Sequence, residues 1–140
     1  MAEVNLNTVR STIETRLRDE FETGQPVPIV FSNVPFDATA VDTFISCSIS
    51  FASNDYLTQG GTTNSTNFLA GLLVVNVFTK QGVGSGENFT ICKRIRDLYN
   101  RVTVSNVIFD SPIGPEVSES NPEGKFQTQI RVTFQIFEDL

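Results

Sequence analysis

The sequence predicts an α+β fold: two layers, with a mostly antiparallel sheet of four to five strands and two helices packed on one face, in the order α-β-β-β-α-β-β. Three observations carry this. Two segments repeat apolar residues at three- and four-residue steps, the period of a helix with one buried face. Several others alternate apolar and polar residues with no helix between them, which favours hairpin pairing. One strand, inside the stretch Phe68–Val104, is apolar on both faces and needs cover on both sides. With 140 residues, no internal repeat and no linker, residues 1–140 form a single domain.

The first helix is expected from about Asn5 to Thr23, with Leu6, Val9, Ile13, Leu17 and Phe21 as its stripe. Asn5 or Asn7 can cap its start, because a short side-chain oxygen accepts from the unpaired N–H groups of the first turn. Gly24 can end it in a left-handed conformation, and Pro26 blocks continuation. Glu14 and Arg18 have the spacing of a four-apart ion pair. Arg10 falls near the apolar stripe, where it either snorkels past the core edge or marks a contact with another chain.

Pro28–Asn33 reads as a short strand, with its prolines at the start where missing donors are tolerated. Thr43–Phe51 alternates Ile45, Cys47, Ile49 and Phe51 with Ser46, Ser48 and Ser50, a half-buried strand with a small polar face. Residues 53–67 are polar and glycine-rich and read as a long loop. The central strand, FLAGLLVVNVFT, sends Leu69, Leu73, Val75 and Val77 to one side and Phe68, Leu72, Val74 and Phe78 to the other. The connection KQGVGSGEN leads to the helix FTICKRIRDLYNRV, with Ser85 as candidate cap. Its stripe is Ile91, Ile95, Leu98 and Val102, flanked by Cys92 and Tyr99. Ser105–Asp110 reads as a strand, residues 111–124 as an acidic, proline-rich loop, and Lys125–Phe137 as the last strand. There Phe126, Ile130, Val132, Phe134 and Ile136 alternate with Gln127, Gln129, Arg131, Thr133 and Gln135, and Phe137 breaks the rule.

Composition removes whole classes of chemistry. No histidine is present, so the commonest general base, the usual partner of a nucleophile and the commonest metal ligand are missing. Cys47 and Cys92 are far apart in sequence, and two cysteines without histidine make a poor zinc site. They read as two reduced, small apolar residues. The sequons at Asn64 and Asn88 read as chance matches in the absence of a secretory route. The glycine run Gly82–Gly86 precedes a helix but has neither the G-K-[ST] ending of a P-loop nor G-x-G-x-x-G spacing, and reads as a connection. No cofactor is implied. The net charge of -6, with no Lys or Arg between Arg18 and Lys80, argues against a phosphate-backbone binder. No apolar run reaches the roughly 18–20 residues that span a bilayer. The N-terminus lacks the basic-then-apolar pattern of a signal peptide, so the chain is expected to stay where it is made.

The opening amphipathic helix Thr8–Phe21, the segment PIVFSNVPFD at Pro28–Asp37 and GLLVVNVFTKQGVGSGEN at Gly71–Asn88 leading into a helix resemble the tail terminator proteins of long-tailed phages, of the lambda-type minor tail protein U kind. The resemblance covers nearly the whole chain as an order of elements, and the long alternating C-terminal strand fits it. It implies a structural virion protein with no catalysis: a homo-hexameric ring at the head–tail junction that caps the tail tube, stops its polymerisation and meets the head connector or neck protein. DNA would pass through the channel without specific binding, and no membrane would be involved. Another neck or tail-completion protein is the nearest alternative. A small α+β ligand-binding module or enzyme is the alternative of another class. On the ring reading, the candidate subunit or partner contacts are Arg10, Phe36, Phe44, Tyr56, Leu57, Arg96 and Phe137. The basic helix surface Lys93, Arg94, Arg96 and Arg101 reads by default as a solvated face, and otherwise as a dock for an acidic neighbour.

Overall fold

In a computed structural model the chain is an α+β protein with two helices and a mixed, curled sheet. It describes residues 5–32, 41–56, 66–82, 84–118 and 124–139. The elements are α1 (Leu6–Glu22), β1 (Ile29–Phe31), β2 (Phe44–Tyr56), β3 (Thr66–Lys80), α2 (Gly86–Tyr99), β4 (Thr103–Val104), β5 (Val107–Phe109), β6 (Ile113–Val117) and β7 (Lys125–Asp139).

The sheet order is β1-β2-β3-β7-β5-β4, with β6 also paired to β7. β3 runs antiparallel to β2 and to β7 along almost its whole length, from Thr66↔Asp139 to Lys80↔Lys125 on the β7 side. Among the described residues the sheet has seven strands rather than four to five, and it is mixed because β1 lies parallel to β2. Two departures explain the larger count. The 111–124 segment, expected as loop, contains β6, whose Ile113, Glu116 and Val117 pair with Arg131, Gln129 and Thr128. The expected strand Ser105–Asp110 is the second arm of a tight hairpin: Ser105 and Asn106 both take positive φ, 48° and 72°, and turn the chain between β4 and β5. Successive left-handed residues are what a two-residue hairpin requires, and asparagine tolerates that conformation. The expected 53–67 loop is also shortened, because β2 continues to Tyr56 and β3 begins at Thr66. A bulge between Phe51 and Asn54 absorbs one residue there.

The core lies between the two helices and the sheet face that carries Ile45, Cys47, Leu69, Leu73, Val75, Val77, Ile130, Val132, Phe134 and Ile136. α1 contributes Val9, Ile13, Leu17 and Phe21, and α2 contributes Ile91, Cys92, Ile95 and Tyr99. Asn5 caps α1, its Oδ1 accepting from Asn7 and Thr8 N–H at 2.9 and 3.2 Å. Ser85 stands at the start of α2 but contributes its backbone carbonyl, to Phe89 N–H, rather than its hydroxyl. Arg94 closes the other end of α1: its guanidinium lies 4.2 Å from the Phe21 ring and donates to the carbonyls of Glu20, Thr23 and Gln25. Glu14 pairs backward with Arg10 at 2.8 Å instead of forward with Arg18, whose guanidinium lies over the Phe31 ring.

Asn88, which alternation does not single out, is fully buried at the first turn of α2. Its amide nitrogen donates to the carbonyls of Val77 and Phe126 and to Thr79 Oγ1, and its amide oxygen accepts from Thr128 Oγ1 and Cys92 Sγ. One side chain thus ties α2 to β3 and β7. Gly71 is dictated by a neighbour: a Cβ there would stand 2.2 Å from Phe134 Cζ.

Two outcomes follow. Asn88→Ala strands a buried threonine and two strand carbonyls, so it is expected to lower stability by about 3 kcal/mol, read as a fall in the urea midpoint at unchanged slope. Gly71→Ala is expected to cost about 1–3 kcal/mol through overpacking, and Phe134→Leu in the same chain should recover part of that loss in a double-mutant cycle.

Candidate interface on the outer sheet face

The pleat sends every second residue of the three long strands away from the helices. Across β2, β3 and β7 the register sets Phe44, Phe78 and Gln127 in one row, then Ser46, Asn76 and Gln129, then Ser48, Val74 and Arg131, then Ser50, Leu72 and Thr133. At the far end Phe68 stands beside Phe137. No helix among the described residues packs on this side. Phe68, Leu72, Val74 and Phe137 are half-buried, and the second apolar side of β3 faces outward as its sequence requires.

The polar residues of this face hold one another in place. Gln127 and Gln129 both donate to Asn76 Oδ1, at 3.1 and 3.2 Å. Arg131 pairs with Glu116 of β6 at 2.6 Å, and Thr133 Oγ1 donates to Asp110 at 2.7 Å. The result is an apolar strip along β3 inside a fixed polar frame. Ile113, aligned with Arg131, adds an exposed apolar side chain at the β6 edge.

The structure separates the candidate contact residues. Phe137 lies on the outer face, tilted against Phe68 with ring centres 5.6 Å apart. Phe44 is on the same face but only 5% exposed: it stacks on Phe78 at 4.4 Å, and the Lys125 ammonium sits above it. Its surface is spent within the subunit. Arg96 is half-buried and donates to the carbonyls of Pro112 and Gly114, fastening α2 to β6. Arg10 is more than half exposed at the edge of α1, held by Glu14. The backbone of Tyr56 ends β2. Phe36 and Leu57 lie outside the described residues. The basic helix surface is largely engaged too, with Lys93 paired to Asp97 at 2.7 Å and Arg94 bound to α1. What sequence reasoning missed is the polar frame: Asn76 and Glu116 were legible only once β7 was placed between β3 and β6.

Away from this face, an open groove of about 900 Å³ runs along α1 past Asn7, Ser11 and Thr15 to Leu98 and Val104. Its Arg16 is committed to the Leu98 carbonyl at 2.9 Å, and of the two carboxylates that line it, Asp19 and Glu20, Glu20 pairs with Arg94. Among the described residues no three Cys, Asp or Glu side chains come together as metal ligands. No helix among them is long and apolar enough to cross a membrane.

Both thiols are buried. Burial, then the Glu14 carboxylate, pushes Cys47 up to about 12. Burial also raises Cys92, opposed by its hydrogen bond to Thr128 and by Arg96. A thiol whose folded value is raised stabilises the fold below its unfolded value, and this contribution is lost as pH climbs from about 9 towards about 12. Neither cysteine is therefore expected to react with iodoacetamide at pH 8 in the native protein, and both should react in 8 M urea; mass spectrometry reads the outcome.

No protein-family profile matches the chain, and no curated protein matches it. Among solved structures, a protein known only by a serial designation superposes with a TM-score of 0.72 over 96% of both chains at 13% identity. At that identity the likeness establishes the fold alone, and it does so from end to end.

Proposed function

We propose that this chain is a structural protein of a phage tail, a tail terminator whose copies form a hexameric ring that caps the tail tube, stops its growth and meets the head connector. It acts without catalysis or cofactor. The observation that supports the reading best is the apolar strip of β3, Phe68, Leu72 and Val74, with Phe137 beside it in a polar frame, on the side where no helix packs among the described residues. A central strand that is apolar on both sides and covered on one is suited to burial against a neighbour. The sequence resemblance of Thr8–Phe21, Pro28–Asp37 and Gly71–Asn88 supplies the identity of the assembly. A chain with no Lys or Arg between Arg18 and Lys80 suits a channel through which DNA slides.

The decisive experiment mixes the purified chain with polymerising tail-tube protein and measures tube length and end occupancy by electron microscopy. Capped tubes of limited length, with six copies at an end, are expected. Tubes that grow unchanged, with the chain monomeric by light scattering at micromolar concentration, would end this reading. Phe137→Asp is expected to weaken capping at least tenfold while far-UV circular dichroism and the thermal midpoint stay within a few degrees of the parent. A variant that merely unfolds would assign Phe137 to the core instead. Duplex DNA should not be retained by the protein at low salt, as tested by filter binding.

A further inference from the structure

Two short strands share the margin of β7 that faces away from β3, and they are attached in different ways. β5 pairs at Gln135 and Phe134 and buries Val107 and Phe109 in the core, 1% and 2% exposed. β6 pairs at Arg131, Gln129 and Thr128, and Ser118 N–H extends the ladder to the Gln127 carbonyl. None of the five residues of β6 is buried. Its two large apolar side chains, Ile113 and Val117, are already 53% and 56% exposed, so lifting β6 away costs little of its own apolar burial. The hydrophobic burial that holds β5 in place contributes little to β6.

Directional contacts hold it instead. Arg96, half-buried on α2, donates from one guanidinium nitrogen to the carbonyls of Pro112 and Gly114, on either side of Ile113. Among the described residues these are the hydrogen bonds that join the helix layer to this segment. The Arg131–Glu116 pair is a further tie, but its side chains are 43% and 53% exposed, and an ion pair in solvent contributes little. Pro115 has no N–H to give to the ladder, and the register shifts between Ile113 and Glu116. Pro112, directly before the strand, is buried and anchors its entry. Gly114 lies so close to β7 that a Cβ there would stand 2.5 Å from the Gln129 carbonyl oxygen.

We propose that β6 is a strap latched by Arg96: residues 113–118 open as a unit while the helices, the three long strands and β5 stay folded. A segment with few buried apolar contacts opens at a free energy below that of global unfolding. Opening has two effects. It removes the ladder partner of Gln127, Gln129 and Arg131, whose backbone groups become a strand-accepting margin beside the outer face. It also parts Arg131 from Glu116, which remodels the polar frame of that face on one side. Arg96 sets the balance between the two states, because its bonds to Pro112 and Gly114 belong to the closed one. Every contact in this latch lies within one chain, so the strap does not rest on the terminator reading.

Native-state amide exchange, read by mass spectrometry on the isolated chain, tests this. In the parent, the peptide covering residues 113–118 is expected to exchange about a hundredfold faster than the one covering residues 69–77 of β3. Arg96→Met keeps a long side chain of similar helix preference and removes the donors. It is expected to speed exchange at 113–118 by about tenfold and to leave 69–77 within about twofold of the parent. Glu116→Gln is expected to shift 113–118 by less than about threefold. Gly114→Ala is expected to hold the strap open: 113–118 exchanges like an unstructured peptide, while the thermal midpoint stays within about a few degrees of the parent. A common exchange rate for both peptides, equal acceleration of both by Arg96→Met, or loss of the whole fold in Gly114→Ala would overturn the strap and make β6 part of the global unit. Tube capping plays no part in these measurements, so a chain that fails to cap tubes can still carry the strap.

Discussion

Everything in this fold hangs on β3 being paired on both sides at once. Its backbone groups are consumed by β2 and β7 along nearly all of its length, so its position is fixed before any side chain is considered. That ladder decides which residues share a face. It aligns Leu73 with Ile49 and Val132 on the helix side, and Val74 with Ser48 and Arg131 on the other. A slip of one residue would exchange the two sets completely, placing serines and an arginine beneath the helices. The strongly apolar helix-side set therefore specifies the register, and the composition of the outer face is a consequence.

The helix layer is joined to that ladder by polar contacts as well as by hydrophobic burial. Asn88 reaches two strands from the start of α2, and Tyr99, near its end, donates its hydroxyl to the Ile13 carbonyl of α1 at 2.8 Å. The Tyr99 ring packs 4.9 Å from Phe109, which in turn lies 6.1 Å from Phe134. α2 is thus fastened at one end to β3 and β7 and at the other to α1 and β5. Hydrophobic contact alone permits sliding; directional bonds at both ends select one placement.

Much of this was legible in the sequence because the signals are periodic. The stripe Val9, Ile13, Leu17 and Phe21, the serine alternation of β2, the even-numbered core set of β7 and the two-sided character of β3 are properties of residues near one another in the chain. The missing parts depend on distant partners. β6 contains glycine and proline and has little strand propensity; it pairs because β7 offers it a free margin. The parallel placement of β1 beside β2 joins residues sixteen apart in sequence, Ile29 with Ile45, which no local pattern encodes. Asn88 looked like part of a glycine-rich connection until Thr79 and Thr128 were brought around it. For the candidate face, alternation correctly put Phe137 on the polar side, yet it gave Phe44 the same standing, because the stack with Phe78 that buries Phe44 is a cross-strand event.

The sequence positions of the three long strands also bear on how the chain is made. β3 ends at Lys80, and the strand that completes its second side begins at Lys125. Until residues 125–139 have left the ribosome, β3 has one open margin and an unpaired row of backbone groups. Pairings so distant in sequence form slowly. At a synthesis rate of roughly 5–20 residues per second, the intervening segment takes a few seconds to appear, and during that interval the most apolar strand of the molecule is half-paired. Ribosomes translating the same message side by side would hold such strands near one another, so the yield of assembled protein should depend on how densely that message is loaded.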